Sequence, residues 1–552
     1  MNNAFLMNKT YIKLLLLILA IVLINFLSSK LHTKFDLTKD KRYSISQTTF
    51  DVAKNVEDNI MIKVYLEGAF PPEFKRLQSE IKQHLEQLHG LNNNISYQFV
   101  NPLGKEKELV EQGLKPSQLA VQENGVASQS IIFPWARIIY KNKTDNISLL
   151  VSNSAKSEEA IIQNSIENIE FNFTDAIYKI TKTERKNIAV LTGNGELDLI
   201  YLDGLFHTLA KSYHFEQFPL DSANVIPQKT LELLNKFDLA IIAKPTKRFT
   251  ENEKFTLDQF QVNNGKTLWL IDNVIAENDS LMQTGNMLAL NRELNLTDLL
   301  FNYGVRVKQN LVKDVYSSPI KLATGNIGGK TQYKNLPWHY YPLVKPNTQH
   351  VISKNTPEVQ LKYANSIDTL KNNIKKTILL QSSEYSKPYG VPLEISLNEI
   401  DKKPSKSDYS DGNQILGILL EGEFKSAYNG RVKPYQISDY KEKSQENKMV
   451  LISDGDIIKN GIFQGKPLDL GIDKWTGIKN GNKTFLLNTV QYLLEDNDLV
   501  KLRSKKIELQ FLDKEKVYQE RNFWQVFNFV LPLGFLGVFG ALFFFIRKRK
   551  YS

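Results

Sequence analysis

Cysteine is absent from the 552 residues. That removes disulfides, thiolate zinc sites, iron–sulfur clusters and a cysteine nucleophile together. Histidine is scarce, at positions 32, 84, 89, 207, 214, 339 and 350, and none falls in HExxH or another short metal motif. His84 and His89 are also off the i,i+4 spacing that places two ligands on one helical face. No GxxxxGK[ST] loop and no complete GxGxxG occurs, so the lysine and Mg²⁺-binding hydroxyl of an ATPase are missing. Long apolar runs number only two, which excludes a multi-span pore built from this chain alone.

The charge balance is basic but dilute. Net charge is +10, from 70 Lys and Arg against 60 Asp and Glu spread along the chain. The one dense basic run is Arg547 to Lys550. It flanks an apolar segment, where a positive edge needs no nucleic acid to explain it. Without a nucleic-acid reader motif, no nucleic-acid partner is assigned.

The two apolar runs read as membrane anchors. Leu14 to Leu27 is short for a span, since crossing the hydrocarbon takes about 20 residues. No small-x-small cleavage site follows it, which favours an uncleaved anchor over a signal peptide. The second run, Phe523 to Ile546, has bilayer length, opens on Phe523 and Trp524, and stops at a basic tail. Gly534, Gly537 and Gly540 form a stripe of small residues, open to close helix approach or simply tolerated in lipid. Two spans place both termini on one side, and the tail argues for a cytoplasmic C-terminus. Lys30, Lys34, Lys39, Lys41 and Arg42 argue weakly the other way.

Between the anchors the pattern is α/β. A helix near Gln47 to Val56 precedes a strand, Met61 to Gly68, and a helix from Pro72 to about Leu88. In that helix Phe74, Leu77, Ile81, Leu85 and Leu88 recur at helical spacing. A strand at Ile95 to Pro102 and a short helix at Glu106 to Gln112 follow, and SQLAVQ and SQSIIFPWARIIYKN read as closing strands. The order βαβαββ resembles a thioredoxin-like layer without its CxxC. Ser157 to Ile180 reads as one long connecting helix. Continuous apolar strands at Lys186–Gly193, Phe237–Pro245 and Gly265–Asn273 then alternate with helices, as in a parallel sheet covered on both faces. Gln414–Gly422 and Lys448–Asp456 extend that sheet, and Asn482 to Leu494 is a helix. The stretch Thr324 to Asp411, rich in Gly, Pro, Lys and Asn, reads mainly as loops.

The predicted fold class is α/β: a thioredoxin-like unit plus a flavodoxin/amidotransferase-like parallel-sheet unit, flanked by two transmembrane helices. The predicted boundaries are an anchor at 1–30, a thioredoxin-like domain at 45–155 and a connecting helix at 156–183. An amidotransferase-like domain follows at 184–500, with an insertion at about 313–411. A juxtamembrane segment at 501–522, a transmembrane helix at 523–546 and a basic tail at 547–552 complete the chain.

Few residues carry chemistry. The turn Thr192 to Glu196, TGNGE, follows a strand as phosphate loops do, but an ordinary strand-to-helix turn explains it. The nucleophile position of an amidotransferase-like sheet would fall near Leu270 to Asn273, which offers neither Cys nor Ser. Asp272, Asp454 and Asp456 would converge at the C-terminal edge of the sheet, where open α/β folds bind ligands, and carboxylates there also serve as turns and caps. The cluster Tyr333, Trp338, His339, Tyr340 and Tyr341 could stack on a sugar or peptide, or form a small satellite core. Trp338, Tyr340, Tyr341, Asp272 and Asp454 are therefore the candidate ligand-binding residues. No catalytic, cofactor-binding or metal residue is assigned, no cofactor is expected, and the chain is expected not to be an enzyme.

Several stretches carry a family resemblance. They include KFDLTKDKRYSIS, FVNPLGKEKELVEQGLKP, IIFPWARIIYKNK, NYGVRVKQNLVKD, LPWHYYPL, ILLQSSEYS, GILLEGEFKSAYNGRV, MVLISDGDIIKN and GNKTFLLNTVQYLLEDNDLVKLRSK. Over nearly its whole length the chain resembles the GldG family, the gliding-motility-associated ABC-transporter auxiliary or so-called substrate-binding proteins of Bacteroidetes-type bacteria. The resemblance implies an inner-membrane protein with a periplasmic body and both termini cytoplasmic. It also implies an ABC ATPase subunit and a multi-span permease subunit as partners, beside the lipid bilayer. The expected function is that of a non-catalytic accessory subunit. The alternative is a structural or ligand-binding envelope protein of the motility machinery that handles no transported substrate.

Overall fold

The computed structural model describes residues 14, 16–22, 44–68, 70–123, 126–151, 158–182, 185–347, 349–354, 356–494, 499, 502 and 518–551. The chain divides into two compact units, Met1–Lys506 and Ile507–Ser552.

The large unit opens with helix α1 (Gln47–Lys54), capped by the Ser46 hydroxyl, which accepts from the Thr49 N–H at 3.2 Å. Strand β1 (Ile60–Val64), helix α2 (Pro72–Leu91) and strand β2 (Ile95–Phe99) form a β-α-β unit with β1 and β2 parallel. Pro72 starts α2 at a position where a missing N–H costs nothing. The stripe Phe74, Leu77, Ile81, Leu85 and Leu88 is fully buried or nearly so. After helix α3 (Glu106–Glu111), strands β3 (Trp135–Tyr140) and β4 (Lys143–Ser148) complete the sheet in the order β2-β1-β3-β4. The expected closing strands are corrected in part: Ser117–Glu123 and Val126–Ile132 leave this sheet and pair only with each other. Pro134, which cannot donate to a ladder, separates Ile132 from Trp135 and divides the apolar run into two strands.

The expected single connecting helix is two, α4 (Glu158–Glu167) and α5 (Ile169–Thr181). At the break, the Asn168 N–H is shared between the carbonyls of Asn164 and Ser165, both at 3.2 Å. The Asn168 side chain also donates back to the Asn164 carbonyl at 2.7 Å, a local competition that bends helices.

The main sheet follows. Its strands are β5 (Asn187–Thr192), β6 (His214–Pro219), β7 (Leu239–Ala243), β8 (Lys266–Leu270), β9 (Lys375–Gln381), β10 (Ile415–Lys425) and β11 (Lys443–Ile452), in the order β9-β10-β11-β8-β7-β5-β6. Strands β6, β5, β7, β8 and β11 run parallel, and β10 and β9 add an antiparallel pair at one edge. Strand β9 lies inside the stretch read as a loop-rich insertion. Alternate residues feed two cores. Ile188, Val190, Ile241, Leu268, Leu270, Val450 and Ile452 face one side, and Ala189, Leu191, Ala240, Ile242, Trp269 and Leu451 the other. A strand buried on both faces must be apolar at every position, which is why these segments show no alternation. Helices α6 (Asp203–Leu209) and α11 (Asn482–Leu493) contribute to the first core. Helices α8 (Glu251–Val262) and α10 (Thr297–Asn302) contribute to the second, with α7 (Pro227–Leu234) beside α8. Helix α9 (Asn278–Thr284) belongs to a third, smaller core built around the inserted strands.

The second unit contains helix α12 (Arg521–Tyr551), with Pro532 inside it. Its segment Arg521–Arg549, of 29 residues, contains an 18-residue window of mean hydropathy 2.4, none of it buried, and is long and apolar enough to cross a membrane. Of the expected N-terminal anchor, Leu14 and residues 16–22 are helical and exposed, and the rest of 1–30 lies outside the described residues. Among the described residues, one helix meets the criteria for a span.

Candidate functional site

Strands β7, β8 and β11 end side by side, and the residue after each turn carries charge. Lys244 follows β7 directly and adopts φ +55°, a left-handed conformation uncommon for a residue other than glycine. Asp272 lies two residues beyond β8, and Asp454 and Asp456 follow β11. The structure brings these carboxylates together, as their positions at the sheet edge led one to expect. Lys244 Nζ sits 2.6 Å from Asp456 Oδ2 and 3.5 Å from Asp272 Oδ2. Gly455 completes the contact, because a Cβ there would lie 2.6 Å from the Lys244 Cβ.

The cluster is dry. Asp454 is fully buried and Lys244 and Asp272 nearly so. Burial pushes the Asp454 carboxyl well above the ordinary carboxylate range, and the charges of Asp272 and Asp456 add to the rise. Burial likewise raises Asp272 against the pull of Lys244. For Asp456 burial acts upward, but the charges of Lys244 and Lys459 and the Lys244 hydrogen bond bring it below the ordinary value. Burial alone would depress Lys244, yet Asp456 and Asp272 hold its ammonium charged.

What covers the edge is the chain itself. The segment Leu361–Ser366 crosses the strand ends, and the polar groups there are spent on it. Asp454 accepts the Lys362 N–H at 2.7 Å through Oδ2 and the Asp456 N–H at 2.8 Å through Oδ1. Asp272 accepts the Gly455 N–H at 2.6 Å. Asn365, wholly buried, accepts the Asn273 N–H at 2.7 Å and donates to the Asn310 carbonyl at 2.6 Å. Ser453 donates to the Asn365 carbonyl at 2.5 Å. The crevice where open α/β sheets take their ligands is thus filled by an inserted segment.

The aromatic candidates lie behind that segment. Trp338, Tyr340 and Tyr341 are at most 3% exposed and form a satellite core with Tyr363, Leu311, Ile320 and Ile395. Trp338 and Tyr340 approach at 5.3 Å, and Tyr341 meets Tyr363 edge-on at 5.4 Å. Burial, with Tyr363 and Asp456 close by, holds the Tyr341 hydroxyl far above its usual range. Tyr333, in contrast, is 59% exposed on the distal part of the hairpin formed by Ser317–Ile327 and Lys330–Val344, and takes no part in this core.

The TGNGE turn is also occupied. Asn194 gives its N–H to Glu196 at 2.8 Å and its side-chain amide to Glu253 at 2.9 Å, while Thr246 and Lys247 donate to its carbonyl. Glu253 in turn closes a capping box with Thr250 at the start of α8. Gly193 and Gly195 have positive φ, and a Cβ at these positions would strike Asp221 and Thr246. A phosphate at this turn would face Glu196, Glu253 and Asp221, so its electrostatics oppose an anion. Burial, the dominant effect, raises the Glu196 carboxyl as well. Sequence reasoning missed Lys244, Asn365 and Lys362. The only signal for Lys244 is a lysine ending an otherwise apolar strand.

These features define a mixed α/β protein with several sheets, a sealed sheet edge and one helix suited to a bilayer. The chain belongs to the family described as "ABC-type uncharacterized transport system", which matches residues 185–489, more than half of its length. A second family, described as "Domain of unknown function (DUF7088)", matches residues 39–139. The chain is 21% identical over 533 residues to a Borreliella burgdorferi protein described as "Uncharacterized protein", covering 94% of each. Among solved structures, the mmIFT52 N-terminal domain has a TM-score of 0.32 at 12% identity, covering 56% of this chain and 98% of that one. A ThuA-like protein from Parabacteroides merdae has a TM-score of 0.28 at 10% identity, covering 57% and 91%. At such scores neither carries an argument. The family and the apolar α12 together associate the chain with membrane transport.

Proposed function

We propose that the chain is a non-catalytic accessory subunit of an ABC transporter, working with an ATPase subunit and a multi-span permease. The observation that carries this reading is the family match over the main sheet together with the length and apolarity of α12. An apolar helix of this length is stable only in lipid or against other spans. The sealed edge supports the non-catalytic part, since Lys244, Asp272, Asp454 and Asp456 are engaged with one another and with Leu361–Ser366. In this reading the body is periplasmic, both termini are cytoplasmic, and the protein serves gliding motility, as its resemblance to that family implies. An envelope-binding role resting on Trp338 has less support, because that ring is 2% exposed.

The test is affinity purification of the full chain from native membranes in mild detergent. Recovery of an ATP-binding chain and a multi-span chain is expected. Recovery of neither would overturn the proposal.

A further inference from the structure

The hairpin Ser317–Ile327 with Lys330–Val344 has two halves of different character. Its base is core, with Ile320, Trp338 and Tyr340 buried. Its distal part, Ala323 to Asn335, is exposed at every position. The turn is Gly328–Gly329, with φ of +59° and +76°, the conformation a two-residue hairpin loop demands. A Cβ added at Gly325, Gly328 or Gly329 would meet nothing within 4 Å, and among the described residues of this unit nothing packs on the tip. An isolated two-stranded arm is marginal in water, and a long one is costly to keep bare.

The composition of the arm is selective. From Val315 to Pro357 there is no Asp or Glu, while Lys321, Lys330 and Lys334 all fall on the exposed part. The register places Ile327 directly opposite Lys330 and Leu322 directly opposite Lys334. Directly opposed residues share a face, so each of these pairs sets an apolar group beside a cation. Ile327 at the tip is 72% exposed. On the other face Lys321 lies 5.7 Å from the Tyr333 ring centre. Lysines alone would be explained as protection of an exposed strand edge. That explanation covers neither the bare isoleucine at the tip nor the lack of any carboxylate.

We propose that the tip of this arm docks on an anionic phospholipid surface, with Ile327 entering the acyl boundary, Lys330 and Lys334 on the same face meeting headgroup phosphates, and Lys321 on the opposite face meeting them as well. Charge complementarity favours that occupant, as does a chain with a helix long and apolar enough to cross a bilayer, which would hold a membrane at high local concentration. An acidic protein surface would satisfy the lysines but offers no general place for Ile327. The inference does not depend on the transporter reading, and either can fail alone.

The test uses the full chain in neutral phosphatidylcholine nanodiscs. Because the chain has no cysteine, Asn326→Cys gives a single site for an environment-sensitive dye. Phosphatidylglycerol-rich vesicles should shift the dye emission, and neutral vesicles should not. Combined Lys321→Ser, Lys330→Ser and Lys334→Ser should weaken binding on the order of 100-fold. Ile327→Ser should weaken it about tenfold, and raised salt should weaken the wild type. All four positions are exposed, so unchanged thermal melts are expected and confirm folding. Equal binding by the triple variant, or an equal response to neutral vesicles, would overturn the proposal. A response to polyglutamate as strong as to the anionic vesicles would assign the arm to acidic chains and overturn it too.

Discussion

Lys244 and Asp456 meet at 2.6 Å across 212 residues of sequence, and between them they close the C-terminal edge of the main sheet. The ammonium is shared with Asp272, so one cation holds the strand ends together while Asp454 accepts the Lys362 N–H of the inserted segment. A buried ion cluster of this kind is weak in net stabilisation but costly to break from one side. Several consequences can be measured.

Replacing Lys244 by Met removes the cation that Asp272 and Asp456 share and leaves Asp456 only the more distant Lys459 at 3.9 Å. Lys244→Met should cost about 3–5 kcal/mol in denaturant unfolding of the purified chain. Adding Asp272→Asn should cost less than the sum of the two single changes, because both act on one network.

The cluster also sets a pH dependence. Asp454 has a folded pKa raised above its ordinary 3.8. The stability its proton contributes is therefore complete below 3.8 and is lost as pH rises through the folded value. Asp456 is depressed and acts in the opposite sense, contributing stability above 3.8 that is lost as pH falls through its lower folded value. Asp454→Asn removes the first effect. Melting temperatures measured from pH 5 to pH 8 should decline less steeply in the variant than in the wild type.

Trp338 tests the difference between a binding aromatic and a core one. Removing the fully buried ring in Trp338→Ala should cost about 3–5 kcal/mol and expose the inserted strands to protease. A variant of unchanged stability would contradict its place in the satellite core.

Gly204, at the start of α6, approaches another backbone. A Cβ there would lie 2.7 Å from the Leu470 nitrogen and 2.8 Å from the Leu468 oxygen, atoms that cannot rotate away. Gly204→Ala should destabilise by about 1–3 kcal/mol, read by thermal melting.

The topology of the proposal is open to labelling. Lys403 is exposed, and Lys403→Cys would be the sole thiol. A membrane-impermeant reagent should modify it in cells whose outer membrane has been permeabilised and whose inner membrane is intact. Labelling only after full lysis would place the body in the cytoplasm.

The legible part of the fold was the part with a period. The stripe from Phe74 to Leu88 and the unbroken strand Leu239–Ala243 announce a helix and a doubly covered strand, and both occur. Most of the hairpin from Ser317 to Val344 lies in the stretch Thr324–Asp411 that reads as loops, because its distal half is exposed on both faces and so has no need of the alternation a half-buried strand shows. Asn168 broke a helix through hydrogen bonds that no apolar pattern reports. At the sheet edge the carboxylates were legible from their positions after apolar strands. The segment that covers them was not, since the Lys362 N–H reaches Asp454, and Asn365 the neighbouring Ser453, from an insertion about 90 residues away in sequence. The aromatic run was visible, but whether such rings bind or pack is decided by what covers them.

The central claim is that Leu361–Ser366 permanently seals the sheet edge, leaving a scaffold and not a ligand crevice. Native-state hydrogen exchange at the amides of Lys362, Asn365 and Asp456 tests it most directly. Each donates within the buried network or its rim, and Asn365 bonds the Ser453 carbonyl at 3.0 Å. The account predicts that these amides exchange only through global unfolding, with the same opening free energy as strands β7 and β8. Exchange orders of magnitude faster than those strands would mean that the segment opens by itself, and would turn the seal into a lid.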